Sequence, residues 1–452
     1  METLVEISSD ALAWVDDFAR QVRPHLFVRE EDSLLILVPN QAYRLNATAC
    51  EILGRTLRGE SIAKVLGPRA ADPAVRLDVH RFFCDIRSLV TGCLGEGDGR
   101  AAVERIAYKP PFNTLPVLSE IALTYRCNLR CGFCYAAAGE ETAAQWPELG
   151  TREVLRLLEI IRRHAKVPSV SFTGGEPTLR PDLTELVRGA KALGLRVNLI
   201  TNGTRVDAEG AGRLAAAGLD SAQVSVEGSR DLVHDRQTGV AGSFDRTIAA
   251  VEHLRRQGVA VHTNTTLSAL NLEDAPSIVE LAARLGLDRL SMNMTIPCGT
   301  AQETGDGLLV RYTDVGPVVL RCRAEARSRG LTFLWYSPTP YCIFNPVAER
   351  LGQKACAACD GLLSVAPDGS VFPCSSLMEP VGNLLRDPFD KIWRSAGARF
   401  WSEKKYLPDG CRACDAAELC AGACPIYWRA FGCGEIAPLG SREGGERTRE
   451  DP

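Results

Sequence analysis

The sequence predicts an α/β protein: a partial (β/α)6 TIM-like barrel, preceded by a winged-helix-like α+β domain and followed by a Cys-rich C-terminal domain. Three observations carry this. From Leu118 onward, short apolar runs alternate with amphipathic stretches of helical period. Before that point short strands are followed by helices, and after about Tyr341 periodicity gives way to Cys, Gly and Pro. A chain of 452 residues is also too long for one ordinary core.

Composition narrows the class. Hydrophobic residues at 45% and charged residues at 24% describe an ordinary globular protein. The start, Met1 to Glu6, lacks the basic and apolar regions of a signal peptide, and no apolar stretch reaches spanning length. A cytoplasmic protein with no membrane partner is expected. The net charge of −4 gives no electrostatic footprint for nucleic acid. The unusual feature is 17 cysteines, which in a reducing compartment point to metal binding or catalysis where they cluster. Cys50, Cys84, Cys93 and Cys322 stand singly among apolar residues and read as small buried hydrophobes.

Taken in order, Leu26 to Val28, Leu34 to Val38 and Ala42 to Leu45 read as a small β-meander broken by acidic and Pro-Asn turns. Asn46 caps a helix over Ala47 to Leu57, Glu60-Ser61 opens a second, and a third runs from Val79 to Leu94. These make a domain over residues 1–95. By periodicity it resembles a DNA-binding winged helix, but Arg55 to Gly67 carries few cations for phosphate contacts. Gly- and Pro-rich residues 96–117 read as a linker. About six β-α units follow over 118–310, the connections long enough for right-handed crossovers and a parallel sheet. Residues 311–340 read as a bridge, 341–440 as the Cys-rich domain and 441–452 as a charged, disordered tail.

Cys127, Cys131 and Cys134 follow the first barrel strand, with three and then two residues between them. A loop at the carboxyl end of a barrel strand lies on the face that carries active sites, and three thiolates can converge there on an inorganic cluster. Three ligands for four irons leave one iron open to a ligand. A zinc site is the competing reading, but it needs a fourth ligand, and Tyr135-Ala136-Ala137-Ala138 offers none.

This spacing, with Phe133 before the last cysteine, resembles the radical S-adenosylmethionine superfamily. The resemblance implies a [4Fe-4S] cluster whose open iron binds S-adenosylmethionine, whose reductive cleavage yields a 5′-deoxyadenosyl radical that abstracts hydrogen from substrate. Gly174, Gly175 and Glu176 at the end of the second strand resemble the family's contact to the methionyl amine. Asn202 and Ser225, at the ends of the third and fourth strands, resemble segments lining the cofactor pocket. Ser225 is the expected carboxylate contact, and the resemblance implies a further Arg downstream, Arg236, with Arg246 as the alternative.

A second constellation, Cys356, Cys359, Cys374, Cys411, Cys414, Cys420, Cys424 and Cys433, resembles the SPASM domain, which carries auxiliary [4Fe-4S] clusters. By that pattern Cys356, Cys359, Cys374 and Cys424 hold an inner cluster, while Cys411, Cys414, Cys420 and Cys433 hold an outer one. Cys342 is an alternative to Cys356, and two zinc knuckles are the competing reading. The sulfatase-maturing branch places a basic aspartate directly after the cysteine equivalent to Cys374. Ser375 stands there instead, which leaves the proton acceptor unassigned. Cys298, in Pro297-Cys298-Gly299, reads as a buried structural thiol.

The N-terminal segment around Tyr43 to Ile52 and Gly59 to Ala63 resembles PqqD-like domains, which bind the leader of a ribosomally made peptide as an added strand. The resemblances together imply a three-cluster peptide maturase that forms a thioether or carbon–carbon crosslink or another oxidised side chain. Its partners would be a precursor peptide and an electron donor such as flavodoxin or ferredoxin. Modification of a small molecule or tetrapyrrole is the alternative enzyme, and a zinc-stabilised regulatory module the alternative of another class.

Overall fold

The computed structural model describes residues 11–39, 41–91, 113–303 and 307–436. The chain divides into two compact units, Met1–Leu118 and Ser119–Pro452.

In the first unit, strands β1 (Leu26–Arg29), β2 (Leu34–Leu37) and β3 (Gln41–Arg44) form an antiparallel meander in the order β1-β2-β3. Helices α1 (Val15–Val22), α2 (Ala47–Leu57), α3 (Ile62–Leu66) and α4 (Pro73–Thr91) complete it. The Asn46 side chain accepts the Ala49 N–H at 2.8 Å, the N-cap expected for α2. Two features differ from expectation: α1 was not foreseen, and α4 begins at Pro73 rather than Val79. Both helices contribute to one core, with Val15, Phe18, Leu35, Leu53, Val65 and Phe83 buried together. Arg29 is buried, forks onto Asp32 at 2.8 Å, and also donates to the carbonyls of Leu115 and Pro116. Residues 115 and 116 are therefore tied to this unit. The rest of the expected linker up to residue 112, with Cys93, and the expected tail lie outside the described residues.

The second unit holds a ten-stranded sheet in the order β10-β9-β8-β7-β6-β5-β4-β11-β12-β13. Strands β4 (Leu118–Thr124), β5 (Ser169–Gly174), β6 (Arg196–Thr201), β7 (Ser221–Ser225), β8 (Ala260–Leu267) and β9 (Arg289–Met294) pair in parallel, in chain order. After α5 (Glu140–Gln145), the crossovers carry α6 (Thr151–Arg163), α7 (Leu183–Ala192), α8 (Ala208–Ala216), α9 (Asp231–Thr238), α10 (Ser243–Arg256) and α11 (Ala275–Arg284). Each long crossover helix is amphipathic; α6, for example, buries Val154, Leu157, Leu158 and Ile161, while Glu153 accepts the Gly150 N–H.

The segment read as a bridge continues the barrel pattern. After α12 (Thr300–Glu303), α13 (Tyr312–Ser328) leads into β10 (Thr332–Trp335), which pairs in parallel with β9 as a seventh strand. On the other side of β4, the C-terminal region adds β11 (Leu362–Val365), β12 (Ser370–Phe372) and β13 (Gly382–Asn383). The barrel sheet and the Cys-rich region therefore meet along β4. Among the described residues no helix is long and apolar enough to cross a membrane.

Candidate active site and thiol clusters

The parallel strands end on one face, where their carboxyl-terminal loops gather. The end of β4 is clamped: Thr124 Oγ1 and Arg126 Nε both donate to Glu148, at 2.5 and 2.7 Å, and Arg180 donates to the Leu123 carbonyl. Directly after this clamp come Cys127, Cys131 and Cys134. Arg130 N–H donates to the Thr238 carbonyl at 2.8 Å, so the end of α9 holds the middle of the cysteine loop. Thr300 N–H donates to the Cys134 carbonyl at 2.9 Å, which fixes its far end.

The glycines at the end of β5 are demanded by close approach. Gly174 has φ of +130°, and a Cβ there would lie 2.1 Å from the Thr124 oxygen; at Gly175 it would lie 2.3 Å from the Arg126 oxygen. Their place is taken by backbone hydrogen bonds, Gly175 N–H to Thr124 and Glu176 N–H to Arg126. Glu176 is fully buried. Its Oε1 accepts from Thr178 N–H, Thr178 Oγ1 and Thr201 Oγ1, and its Oε2 from Asn202 N–H. The carboxylate thus ties β5 to β6 and retains acceptor capacity at Oε2 alone. Asn202 donates to Asn128 Oδ1 at 3.0 Å and accepts from Thr204, so it braces the cysteine loop. Ser225 and Phe133 are half-buried, whereas Arg236 and Arg246 are both exposed. The structure thus sets Arg236 on the surface of α9, unlike the other expected cofactor contacts.

The three barrel thiols line a cavity of about 180 Å³, with Leu129, Arg130, Ala138 and Thr300. Backbone N–H groups of Leu129 and Ala138 point at the sulfurs of Cys127 and Cys134, both at 3.4 Å. Burial pushes the Cys127 thiol up to about 11 and the Cys131 thiol well above its ordinary value. Thiolates there require a compensating cation, which an iron–sulfur cluster supplies. The cavity, the convergent thiols and the N–H donors fit such a cluster.

Glu227, two residues past Ser225, escaped the sequence reading as an individual residue. It is buried, accepts the Thr266 N–H at 2.8 Å, is raised to about 8 by burial, and lies close enough to Cys131 to raise that thiol too.

The C-terminal cysteines fall into two groups. Cys356, Cys359, Cys374 and Cys424 share one environment: Cys356 raises the thiols of the other three, after burial, and Cys424 also raises that of Cys374. Burial pushes Cys359 and Cys424 up to about 12. Cys411 faces Cys420, Cys414 and Cys433 in the other group. Cys342, read as an alternative to Cys356, belongs to this second group: Cys411, Cys414 and Cys420 surround it, and Tyr341 N–H points at the Cys420 sulfur at 3.4 Å. Ala421, Gly422 and Ala423 all have positive φ, which folds the chain sharply between Cys420 of one group and Cys424 of the other. The interleaving follows from that turn. Buried Cys298 lies between Cys134 and Cys424 and bonds Ser376, so it stands between the barrel and C-terminal thiols.

A parallel half-barrel with three thiols at the carboxyl end of its first strand, joined to a thiol-rich extension, defines an iron–sulfur enzyme of S-adenosylmethionine chemistry. Residues 121–282 match the Radical SAM superfamily, and residues 356–415 match SPASM, an iron-sulfur cluster-binding domain. The chain is 31% identical over 321 residues to the AdoMet-dependent heme synthase of Methanosarcina barkeri, spanning 68% of this chain and 90% of that one. It is 33% identical over 317 residues to the PqqA peptide cyclase of Ruegeria pomeroyi, spanning 68% and 82%. In fold it resembles Streptococcus suis SuiB, solved with its precursor peptide SuiA, at TM-score 0.65 and 16% identity over 89% of this chain and 95% of that one. It also resembles anSMEcpe, solved with bound AdoMet, at TM-score 0.55 and 16% identity over 73% and 100%. The chain belongs to the radical SAM superfamily. It is an enzyme that uses [4Fe-4S] clusters and S-adenosylmethionine.

Proposed function

We propose that this enzyme modifies a ribosomally made precursor peptide, oxidising a side chain or forming a thioether or carbon–carbon crosslink, in the cytoplasm. The observation that carries this reading is the reach of the likeness to SuiB. It covers 89% of this chain, more than the unit Ser119–Pro452 can supply alone, so it takes in part of the N-terminal unit. That unit presents a three-stranded sheet whose strand β3 has a neighbour on one side only among the described residues, the arrangement a PqqD-like domain would use to receive a leader as a further strand.

In this reading Cys127, Cys131 and Cys134 hold the barrel cluster, which with S-adenosylmethionine supplies a hydrogen-abstracting radical. Gly174 and Gly175 let backbone approach the cofactor, and Ser225 borders it. Cys356, Cys359, Cys374 and Cys424 hold the inner auxiliary cluster, and Cys411, Cys414, Cys420 and Cys433 the outer one, with Cys342 beside it. A small electron carrier such as flavodoxin or ferredoxin supplies the reducing electron.

The likeness to heme synthases supports a second reading, in which the substrate is a tetrapyrrole. The test is to incubate the anaerobic enzyme, S-adenosylmethionine and dithionite with the short peptides encoded beside its gene, and separately with haem precursors. Loss of hydrogen mass from a peptide, with 5′-deoxyadenosine formed, is expected. Conversion of the tetrapyrrole alone would replace the peptide reading.

A further inference from the structure

Between the barrel thiols and the inner C-terminal thiols stands a carboxylate that no motif accounts for. Glu120 lies on β4, and its side chain shares a strand face with Ala122 and Thr124, opposite Ile121 and Leu123, which are buried on the other face. Its carboxylate accepts a hydrogen bond from Ser364 Oγ on β11 at 2.5 Å and a second from the side chain of Ser375. Ser375 directly follows Cys374. On the barrel side, Glu120 is close enough to Tyr135, the residue after Cys134, for its charge to be felt there, and on the other side it is felt by Cys374. Glu120, Tyr135, Cys374, Ser375 and Ser376 are each partly accessible.

Enclosed carboxylates here are of two kinds, those paired with a cation and those held by neutral donors, as Glu176 and Glu227 are; Glu120 is of the second kind and differs from those two in lying beside Cys374. Buried Asp32 forks with Arg29, and Asp182 pairs with Arg180, because an enclosed charge is costly without a counter-ion. Around Glu120 both hydrogen-bond partners are neutral hydroxyls, and burial raises its pKa above the usual carboxylate range. A carboxylate held ready by hydroxyls, with no cation acting on it among the described residues, is suited to accepting a proton. The position also resolves the substitution at Ser375: where the sulfatase-maturing branch carries an aspartate, this chain carries a serine that donates to a glutamate reaching in from the first strand.

We propose that Glu120 is the proton acceptor of the reaction, taking the proton that a protic group of the peptide releases as that peptide is oxidised. The step is a plain proton transfer: the substrate X–H bond breaks, X keeps the electron pair, and a Glu120 oxygen forms the new O–H bond. Ser364 and Ser375 hold the anion in place beforehand. This inference rests on the peptide reading above.

The test uses the reconstituted holoenzyme as wild type, Glu120→Gln and Ser375→Ala, with iron content checked for each. Without peptide, the infrared difference between wild type and Glu120→Gln at pH 8 should show the stretch of an ionised carboxylate. The band of a protonated carboxyl there would overturn the proposal. With the short peptide encoded nearest the gene, Glu120→Gln should lower modified peptide per 5′-deoxyadenosine by at least about 100-fold, the usual worth of a general base. Ser375→Ala keeps the carboxylate and should cost about 10-fold, one hydrogen bond to a charged group. Wild-type yield from Glu120→Gln would also overturn the proposal. If the wild type itself modifies no peptide, the peptide reading fails, and the infrared result still decides whether Glu120 stands ionised as a base.

Discussion

The barrel thiols and the C-terminal thiols are held by opposite means. Cys127, Cys131 and Cys134 sit on a loop fixed from outside: by the Glu148 clamp on β4, by the glycines of β5, by Asn202 and by the Thr238 carbonyl of α9. The framework around them has a complete apolar core, with Leu157, Phe172, Leu186, Leu199, Val224 and Val251 all fully buried. The C-terminal thiols stand among short strands, tight turns and left-handed residues, and Cys359, Cys420 and Cys424 are buried beside an apolar set that includes Leu363, Phe372, Ile392 and Trp401. In the first region the fold makes the site. In the second, where the elements are shorter, any cluster that the thiols hold would add to what the apolar residues supply.

The largest effect that would break this contrast comes from removing the metal. Chelation of iron from the anaerobic enzyme should abolish hydrogen-exchange protection over residues 356–433 while β4 to β9 keep theirs. Equal loss in both regions would show that the barrel also depends on its cluster. Next in size is Gly175→Ala, whose Cβ would meet the Arg126 oxygen at 2.3 Å. Displacing that backbone should cost about 2 kcal/mol in thermal unfolding and lower 5′-deoxyadenosine formation at least about 10-fold through misplaced thiols.

A comparable but pH-limited effect concerns His262 on β8, which burial and then Arg289 and Arg196 lower to about 4. The unfolded chain takes up this proton near pH 6.5 and the folded chain does not, so its stabilising contribution is complete above pH 6.5. It is lost as pH falls toward 4, by on the order of 2 kcal/mol. His262→Gln should flatten the fall in Tm over that window. An unchanged acid limb would show that His262 is not its source. The smallest effect is expected at Cys342. As a fifth thiol beside Cys411, Cys414 and Cys420, its replacement by Ser should leave iron content near wild type, whereas Cys420→Ala should lower it. The reverse outcome would make Cys342 a ligand.

The contrast also explains what could be read from the sequence. Strand β4 ends at Thr124 as expected, because alternation from Leu118 and the break before Cys127 are both local signals. The crossover helices were legible from periodicity, since each buries one face. Short α9 was not: with Asp231, His234, Asp235 and Arg236 it has almost no amphipathic signal, and its function in the fold is to present the Thr238 carbonyl to the cysteine loop. The bridge escaped notice as a barrel unit because α13 carries Pro317 inside it and β10 spans only Thr332–Trp335. Cys342 was misgrouped because sequence distance favoured Cys356, whereas the chain returns to set it against Cys411 and Cys420. Glu120 carried no motif, and only the β4–β11 contact, between residues far apart in sequence, brings Ser364 and Ser375 to it.

The central claim, that the barrel trio and the C-terminal thiols hold separate clusters, is tested most directly by counting iron. Anaerobic iron and sulfide should be measured on the wild type and on Cys127→Ala/Cys131→Ala/Cys134→Ala, with 5′-deoxyadenosine assayed beside them. The account predicts about twelve irons falling to about eight, at four per [4Fe-4S] cluster, with 5′-deoxyadenosine lost entirely. Iron unchanged in the triple variant, or 5′-deoxyadenosine still formed by it, would contradict the assignment of the barrel cluster.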